Sequence, residues 1–362
     1  MKRNKKRKFL FYVVLTAIII FMASMMFFYI TDPVQLQLKL NEITNKVEYY
    51  ILELNGMKAL ADENMQMPEQ EKLTEAQKYY YYQQLNDTGK LIYISIENNI
   101  EKIKNGEDNI PLPNQLNEIA KSTIDGKNVI STEFQNAWDA FITDKSEYFY
   151  LDSSKVCLVT KIITKGSNIN YEFSMGKGQN ANYFTDDFNS KQEVELAIQE
   201  IQKLKSEIIK NTNGNNYEKM LYIHNYIVEN TTYDTSNTPN KSNVYGCLIN
   251  KKAICEGYAR AYKYLLDELN IPCLLVSGEA VDEEGNIERH AWNYVYINNN
   301  WYAVDTTWDD PIIIGNGIIT KSIKYKYFLK GKKTMNKDHK TIGQITKDGF
   351  EFKYPELAND DL

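Results

Sequence analysis

Two short alternating segments on either side of a run of asparagines constrain this chain most. Arg289-His290-Ala291-Trp292-Asn293-Tyr294-Val295-Tyr296-Ile297 and Trp301-Tyr302-Ala303-Val304-Asp305 both read as strands, and Asn298-Asn299-Asn300 is turn material. Two strands this close in sequence pair as an antiparallel hairpin, and the turn sets the register. His290 shares a face with Trp292, Tyr294 and Tyr296. A two-residue turn at Asn298-Asn299 sets Asp305 opposite Trp292, and one at Asn299-Asn300 sets it opposite Tyr294. Either register puts Asp305 on the His290 face. The first makes the two diagonal neighbours, about 7–8 Å apart along the backbone, within reach of a carboxylate–imidazole bond. A three-residue loop without a bulge would send Asp305 to the other face.

Upstream, Lys251-Lys252-Ala253-Ile254-Cys255-Glu256-Gly257-Tyr258-Ala259-Arg260 leads into a helical pattern, with Tyr258, Tyr262, Leu265, Leu266 and Leu269 on one side and Asn270-Ile271-Pro272 as its stop. Cys255 therefore stands at or just before a helix N-terminus. Free N–H groups and the helix dipole favour an anion there, which stabilises a thiolate. A small cysteine packed under the helix fits the position equally well. A Cys, a His and an Asp in that order suit acyl transfer: the imidazole takes the thiol proton, and the carboxylate orients the ring and steadies its charge. The chain has three histidines, so few bases compete, and His224 reads by default as a histidine at the edge of a helical core stripe.

The remainder divides by pattern. Residues 33–60 read as a helix or helix pair and residues 73–103 as helix interrupted near 86–89; the Tyr79-Tyr80-Tyr81-Tyr82 run within it reads as packing, because four consecutive side chains point all around a helix. Residues 110–188 read as a small α+β unit, with Phe134, Ala137, Trp138 and Phe141 on one helical face and strands at 148–151, 156–163 and 169–173. A clear amphipathic helix follows at 191–210 and another at 217–230, with a strand at 274–278.

The N-terminus supplies an address. Lys2, Arg3, Lys5, Lys6, Arg7 and Lys8 precede 22 uncharged, apolar residues, 9–30. At about 1.5 Å per residue that run spans the roughly 30 Å hydrocarbon core. It ends in bulky residues rather than the small ones of a signal-peptidase site, so an uncleaved single-pass anchor is expected, basic end in the cytoplasm and everything after residue 31 outside. Those six bases leave 36 Lys and Arg against 48 Asp and Glu in the rest of the chain, a balance that excludes nucleic acid as the main partner. Cys157, Cys247, Cys255 and Cys273 are too few and too scattered for a disulfide framework; a Cys247–Cys273 bridge outside the cell stays open, and all but Cys255 are expected to be dispensable for chemistry. No Cys-x-x-Cys, paired His, phosphate loop or alternating calcium-ligand run is present, so no metal and no cofactor is expected.

Three blocks in order, Cys255-Glu256-Gly257-Tyr258-Ala259, His290-Ala291-Trp292-Asn293, and Trp301-Tyr302-Ala303-Val304-Asp305-Thr306-Thr307-Trp308-Asp309, resemble the transglutaminase-like (transglutaminase core) superfamily, within the papain-like cysteine fold. Tyr233-Asp234 and Tyr327-Phe328-Leu329 are similar to bacterial members less specifically. The resemblance implies an α+β domain in which a helix bearing Cys255 as nucleophile packs on an antiparallel sheet carrying His290 as base and Asp305 as orienting carboxylate. It implies the Cys255 N–H as one oxyanion donor; Tyr245 is a candidate for the second. The organisation expected is a basic tail at 1–8, the anchor at 9–30, a helical then α+β region at 31–190, and the transglutaminase-like domain at 191–362 with its core at 217–310. The expected function is thiol-dependent acyl transfer or hydrolysis at amide bonds of a protein, peptide or cell-wall peptide. The rival is a non-catalytic binding or scaffold module on the same fold. All three site side chains are expected to line a cleft rather than fill the core.

Overall fold

The computed structural model describes residues 79–122, 125–166, 168–236, 238–282, 284–310, 324–343 and 350–362. The expected anchor at 9–30 and the helical pattern at 33–60 lie outside these residues. Among the described residues no helix is long and apolar enough to cross a membrane. They belong to one compact unit, Lys72–Ile312 with Lys324–Leu362.

The first part is helical. Helices α1 (Tyr80–Gln84), α2 (Asp87–Asn98) and α3 (Ile100–Lys104) are separated where Asn86 caps α2, its side chain accepting from the Gly89 N–H at 2.9 Å. Strand β1 (Ile110–Pro111) and helix α4 (Gln115–Ser122) lead to α5 (Gly126–Asp144), which buries Phe134, Ala137, Trp138 and Phe141 as one face. The buried Asp144 at its end accepts from the N–H groups of Tyr81 and Tyr82 at 3.1 and 2.9 Å, so α5 caps α1, whose own N-cap Tyr79 has no capping side chain. The tyrosine run packs as its spacing demands: Tyr80 meets Trp301, Tyr81 meets Phe352 and Tyr82 meets Tyr93. The Tyr81 hydroxyl donates to the Leu275 carbonyl.

Residues 148–151, expected as a strand, instead form the end of a 3₁₀ turn (Ser146–Tyr148) followed by one isolated bridge, Leu151 to Phe184. Tyr148 stacks on Phe141 at 5.1 Å, and that contact holds the turn against the β preference of the local aromatic sequence. Strands β2 (Cys157–Lys165) and β3 (Asn168–Gly176) pair antiparallel, with β1 on the outer side of β3.

Helix α6 (Lys191–Lys210) buries Val194, Ala197, Ile201 and Ile208. Helix α7 (Asn216–Asn230) opens with a reciprocal capping box between Asn215 and Glu218 and buries Met220, Ile223, His224 and Ile227. The two-residue strands β4 (Thr232–Tyr233) and β5 (Lys252–Ala253) pair in parallel and bring the chain to α8 (Cys255–Glu268).

The main sheet, in order β8-β7-β6-β9, comprises β6 (Cys273–Val281), β7 (Ile287–Ile297), β8 (Asn300–Val304) and, beyond helix α9 (Lys332–Met335), β9 (His339–Thr341). Asn298 and Asn299 both take positive φ, 52° and 60°, the conformation of a two-residue hairpin turn. Ile297 then faces Asn300 and Asn293 faces Val304, which is the register that sets Asp305 beside Trp292. The sheet has two covered faces. Leu275 and Ala291 pack with Ala259 of α8, whereas Leu274, Val276, Trp292 and Tyr294 build a second cluster with Tyr327 and Met335. The main core is continuous from Tyr81 and α5 through α6, α7 and α8 to Val304 and Phe352.

Candidate active site

Cys255 is the first residue of α8. Its N-cap is Ile254, extended and with no side-chain capping bond, so the N-cap side chain does not occupy the free N–H groups of the first turn, which also carries Glu256. The backbone is pressed into place from behind: a Cβ on Gly257 would lie 2.5 Å from the Lys241 carbonyl oxygen and 2.8 Å from Ala253 Cβ. That contact explains the glycine two residues after the cysteine. The half-buried Cys255 packs against Ala259, Leu275 and Ala291. Asn293 ties the same helix to the sheet, its side-chain amide donating to the carbonyls of Ala259 at 3.0 Å and Leu274 at 3.1 Å.

His290 sits on β7 and its Nε2 bonds Asp305 Oδ2 at 2.8 Å. Asp305 is held on all sides. Its Oδ1 accepts from the Thr307 and Trp308 N–H groups at 2.9 and 3.2 Å, and its own N–H donates to the Tyr327 carbonyl at 3.1 Å. Those bonds require the Asp-Thr-Thr-Trp turn. Trp308 also lies against the His290 ring, with centroids 5.3 Å apart. Burial works against a charged His290, but the Asp305 carboxylate and the Cys255 sulfur outweigh it and push the ring up to about 10. Burial alone would raise Asp305; the His290 and His339 rings instead hold its carboxyl far below the usual carboxylate range.

Cys255 and His290 line a cleft of about 420 Å³ together with Thr143, Leu275, Arg260 and Arg289. Arg260 is fixed in that wall by Glu256 at 2.8 Å and the Ile142 carbonyl at 3.0 Å. Asp305 does not reach the cleft: it is fully buried, behind His290. The expectation that all three side chains line the cleft is corrected at this residue, because four donors converge on its carboxylate from the interior.

The sequence reading missed His339. Its Nε2 lies 3.1 Å from Asp305 Oδ2, so that His290, Asp305 and His339 form one buried cluster. In this structure the short contacts within it are imidazole–carboxylate hydrogen bonds. The only signal was the scarcity of histidine in the chain. Tyr245 lies away from the cleft, its hydroxyl on Glu200 and its ring stacked on Phe149. Asp309 and Asp310 are occupied separately, the first by His224 at 3.0 Å and the second by the Tyr258 hydroxyl at 2.6 Å. All four cysteines are free, which removes the Cys247–Cys273 bridge from this structure; burial pushes the Cys247 thiol up to about 12 and Cys273 well above its ordinary value.

No curated protein matches the chain significantly. Among solved structures, a TGase shares 19% identity over 47% of this chain and 50% of its own, with a TM-score of 0.29. The periplasmic domain of TgpA from Pseudomonas aeruginosa shares 16% over 39% and 55%, with a TM-score of 0.25. Menin, in the structure that reveals its binding site for Mixed Lineage Leukemia protein, shares 16% over 35% and 28%, with a TM-score of 0.24. The chain thus spans about half the length of the TGase it matches. The family model of the Transglutaminase-like superfamily matches residues 202–306, from α6 through the hairpin that carries His290 and Asp305. Over that segment the chain is similar to the transglutaminase-like superfamily.

Proposed function

We propose that this protein is a thiol-dependent enzyme acting on amide bonds of proteins or peptides, with Cys255 as nucleophile, His290 as general base and acid, and Asp305 as the carboxylate that orients the imidazole. The observation that carries the proposal is a half-exposed cysteine at the first turn of a helix, in one cleft with an imidazole whose far nitrogen is fixed on a buried carboxylate. The Cys255 sulfur attacks the substrate carbonyl, and the tetrahedral oxyanion forms beside the Cys255 N–H. His290 gives its proton to the departing amine, leaving a thioester on Cys255. Water or a second amine then attacks the thioester, His290 takes the incoming proton, and the thiolate leaves. Water yields hydrolysis and an amine yields transamidation; the triad chemistry is common to both. The basic cluster and apolar run of residues 2–30 support a membrane-anchored enzyme with its catalytic part outside the cytoplasm.

The test uses the full chain in detergent or lipid. Iodoacetamide should alkylate Cys255 well below pH 8, read by peptide mass spectrometry, and faster than Cys157, Cys247 or Cys273. Peptide libraries with and without a primary amine should give products whose masses separate cross-linking, deamidation and cleavage. A Cys255 that reacts no faster than the other three, with no turnover in any library, would favour a scaffold role and overturn the proposal.

A further inference from the structure

Asp305 is shared between two imidazoles. Its Oδ2 takes a bond from His290 Nε2 at 2.8 Å and another from His339 Nε2 at 3.1 Å. The second ring nitrogen of His339, Nδ1, lies 2.7 Å from Asp338 Oδ1, and Asp338 Oδ2 accepts from the Tyr327 hydroxyl at 2.7 Å. An ionised carboxylate only accepts hydrogen bonds. A ring that meets one carboxylate through each nitrogen must donate from both, and is then an imidazolium. Its surroundings agree. The rings of Trp308, Trp292 and Tyr327 enclose it at centroid separations of 4.6, 5.0 and 5.1 Å, an aromatic setting that favours a cation.

We propose that His339 is a positioning residue for the Cys255–His290 pair: braced on Asp338 as an imidazolium, it holds Asp305 Oδ2 under His290 Nε2 and takes up part of the charge of that carboxylate. The inference rests on the thiol-enzyme reading for its purpose, though not for its geometry. A carboxylate facing His290 Nε2 alone would make the ring more basic and slow delivery of the proton on its other nitrogen to a leaving amine. A second cation on the same oxygen, its ring centred 5.7 Å from that of His290, weakens that effect while keeping the hydrogen bond in place. Burial opposes a charge on His339, but Asp305 and Asp338 outweigh it, and the ring is displaced upward from its ordinary value. The charged and titratable groups that face this ring are few. From the lead-in to β9 it is Asp338; from β7, His290; from the turn after β8, Asp305; and from the segment before α9, the Tyr327 hydroxyl with Lys326 over the Tyr327 ring.

Histidine-selective nitrogen-15 labelling of the full chain is the direct test, because three histidines yield three pairs of ring signals. His339 should show both ring nitrogens protonated at neutral pH, and Asp338→Asn should move its titration downward. In His339→Gln, which keeps a neutral donor toward Asp305, the His290 signal should titrate at higher pH than in the wild type. The pH profile of Cys255 alkylation should move with it. In His339→Leu, which offers no donor, alkylation near pH 6 should slow on the order of tenfold, less than the roughly 10⁴-fold loss when a serine triad loses its carboxylate charge. A neutral His339 at pH 7, or a His290 titration unmoved in folded His339→Gln, would overturn the inference. Should His339→Gln fail to fold, the Asp338→Asn titration decides alone. Failure of the thiol-enzyme reading is seen separately, as a wild-type Cys255 with no excess reactivity.

Discussion

Two of the buried His–Asp pairs, His290–Asp305 and His224–Asp309, are built from nearly the same stretch of chain, and they differ in what reaches them. Asp305 and Asp309 stand on one turn, the Asp309 N–H donating to the Asp305 carbonyl at 3.2 Å. Asp305 takes His290 at 2.8 Å; Asp309 takes His224 at 3.0 Å, with the Tyr327 N–H on its other oxygen at 2.8 Å. His224 is wholly enclosed between Phe328 and Tyr325, and Asp309 is 0% exposed. His290 is scarcely more exposed, at 4%, but that sliver opens on the cleft that also holds Cys255. An imidazole–carboxylate bond is therefore not the mark of a site in this protein. What sets His290 apart is the cleft it shares with the Cys255 thiol. The sealed pair ties α7 to the turn after the hairpin and so supports the open one from beneath.

Substitutions can break this contrast, and the largest effect is expected at the thiol. Cys255→Ala removes the atom that forms the thioester, so turnover should fall by a factor on the order of the 10⁶ recorded for loss of a serine nucleophile, with the melting temperature nearly unchanged. His290→Ala against His224→Leu is the sharpest comparison. The first should cost about 10²–10⁴ in rate with a folded protein. The second should leave Asp309 buried without its partner and cost about 3–5 kcal/mol of stability, read by denaturant titration, while folded molecules keep their Cys255 reactivity. If His224→Leu lost reactivity at full stability, the two pairs would not divide as described.

A milder effect is expected at the shared carboxylate. Asp305→Asn keeps the shape and the Thr307 and Trp308 bonds but removes the charge facing His290; a loss of about 10–10³-fold is expected, smaller than in a serine triad because a Cys–His ion pair relies less on the third group. The smallest effect is in the pH dependence of stability. His290 is held at about 10 in the fold against an ordinary 6.5, so the folded state binds its proton more tightly. Its stabilisation is whole below pH 6.5 and is lost as pH rises toward about 10. Asp309, pushed by burial from 3.8 up to about 6, stabilises only at acid pH and has lost that contribution by about pH 7. Unfolding free energy should therefore decline between about pH 7 and about pH 9 in the wild type and decline less in His290→Gln.

Much of the site was legible because it obeys local rules. The amphipathic stripe of α6, the stop at Asn270-Ile271-Pro272 and the alternation of β7 each follow from spacing alone. So did the position of Cys255 at a helix start and the common face of His290 and Asp305. The choice between two hairpin registers was left open among three consecutive asparagines, and it was made by Asn298 and Asn299 taking positive φ. The strand expected at 148–151 failed for a like reason, since Tyr148 answers to Phe141 rather than to its neighbours in sequence.

What the amino-acid sequence determined by itself was the chemistry available: one cysteine at a helix N-terminus, an imidazole and a carboxylate on facing strands, and an apolar run that precedes them. What only the tertiary structure decided was who surrounds that carboxylate. His339 lies 34 positions from Asp305 and no periodicity connects them; β9 joins β6 at the far side of the sheet and delivers its ring to Oδ2. Spacing along a chain carries information as far as one helix or one hairpin extends. Beyond that, contacts are set by which faces must be buried together, and the fold resolves this only when the whole core is assembled.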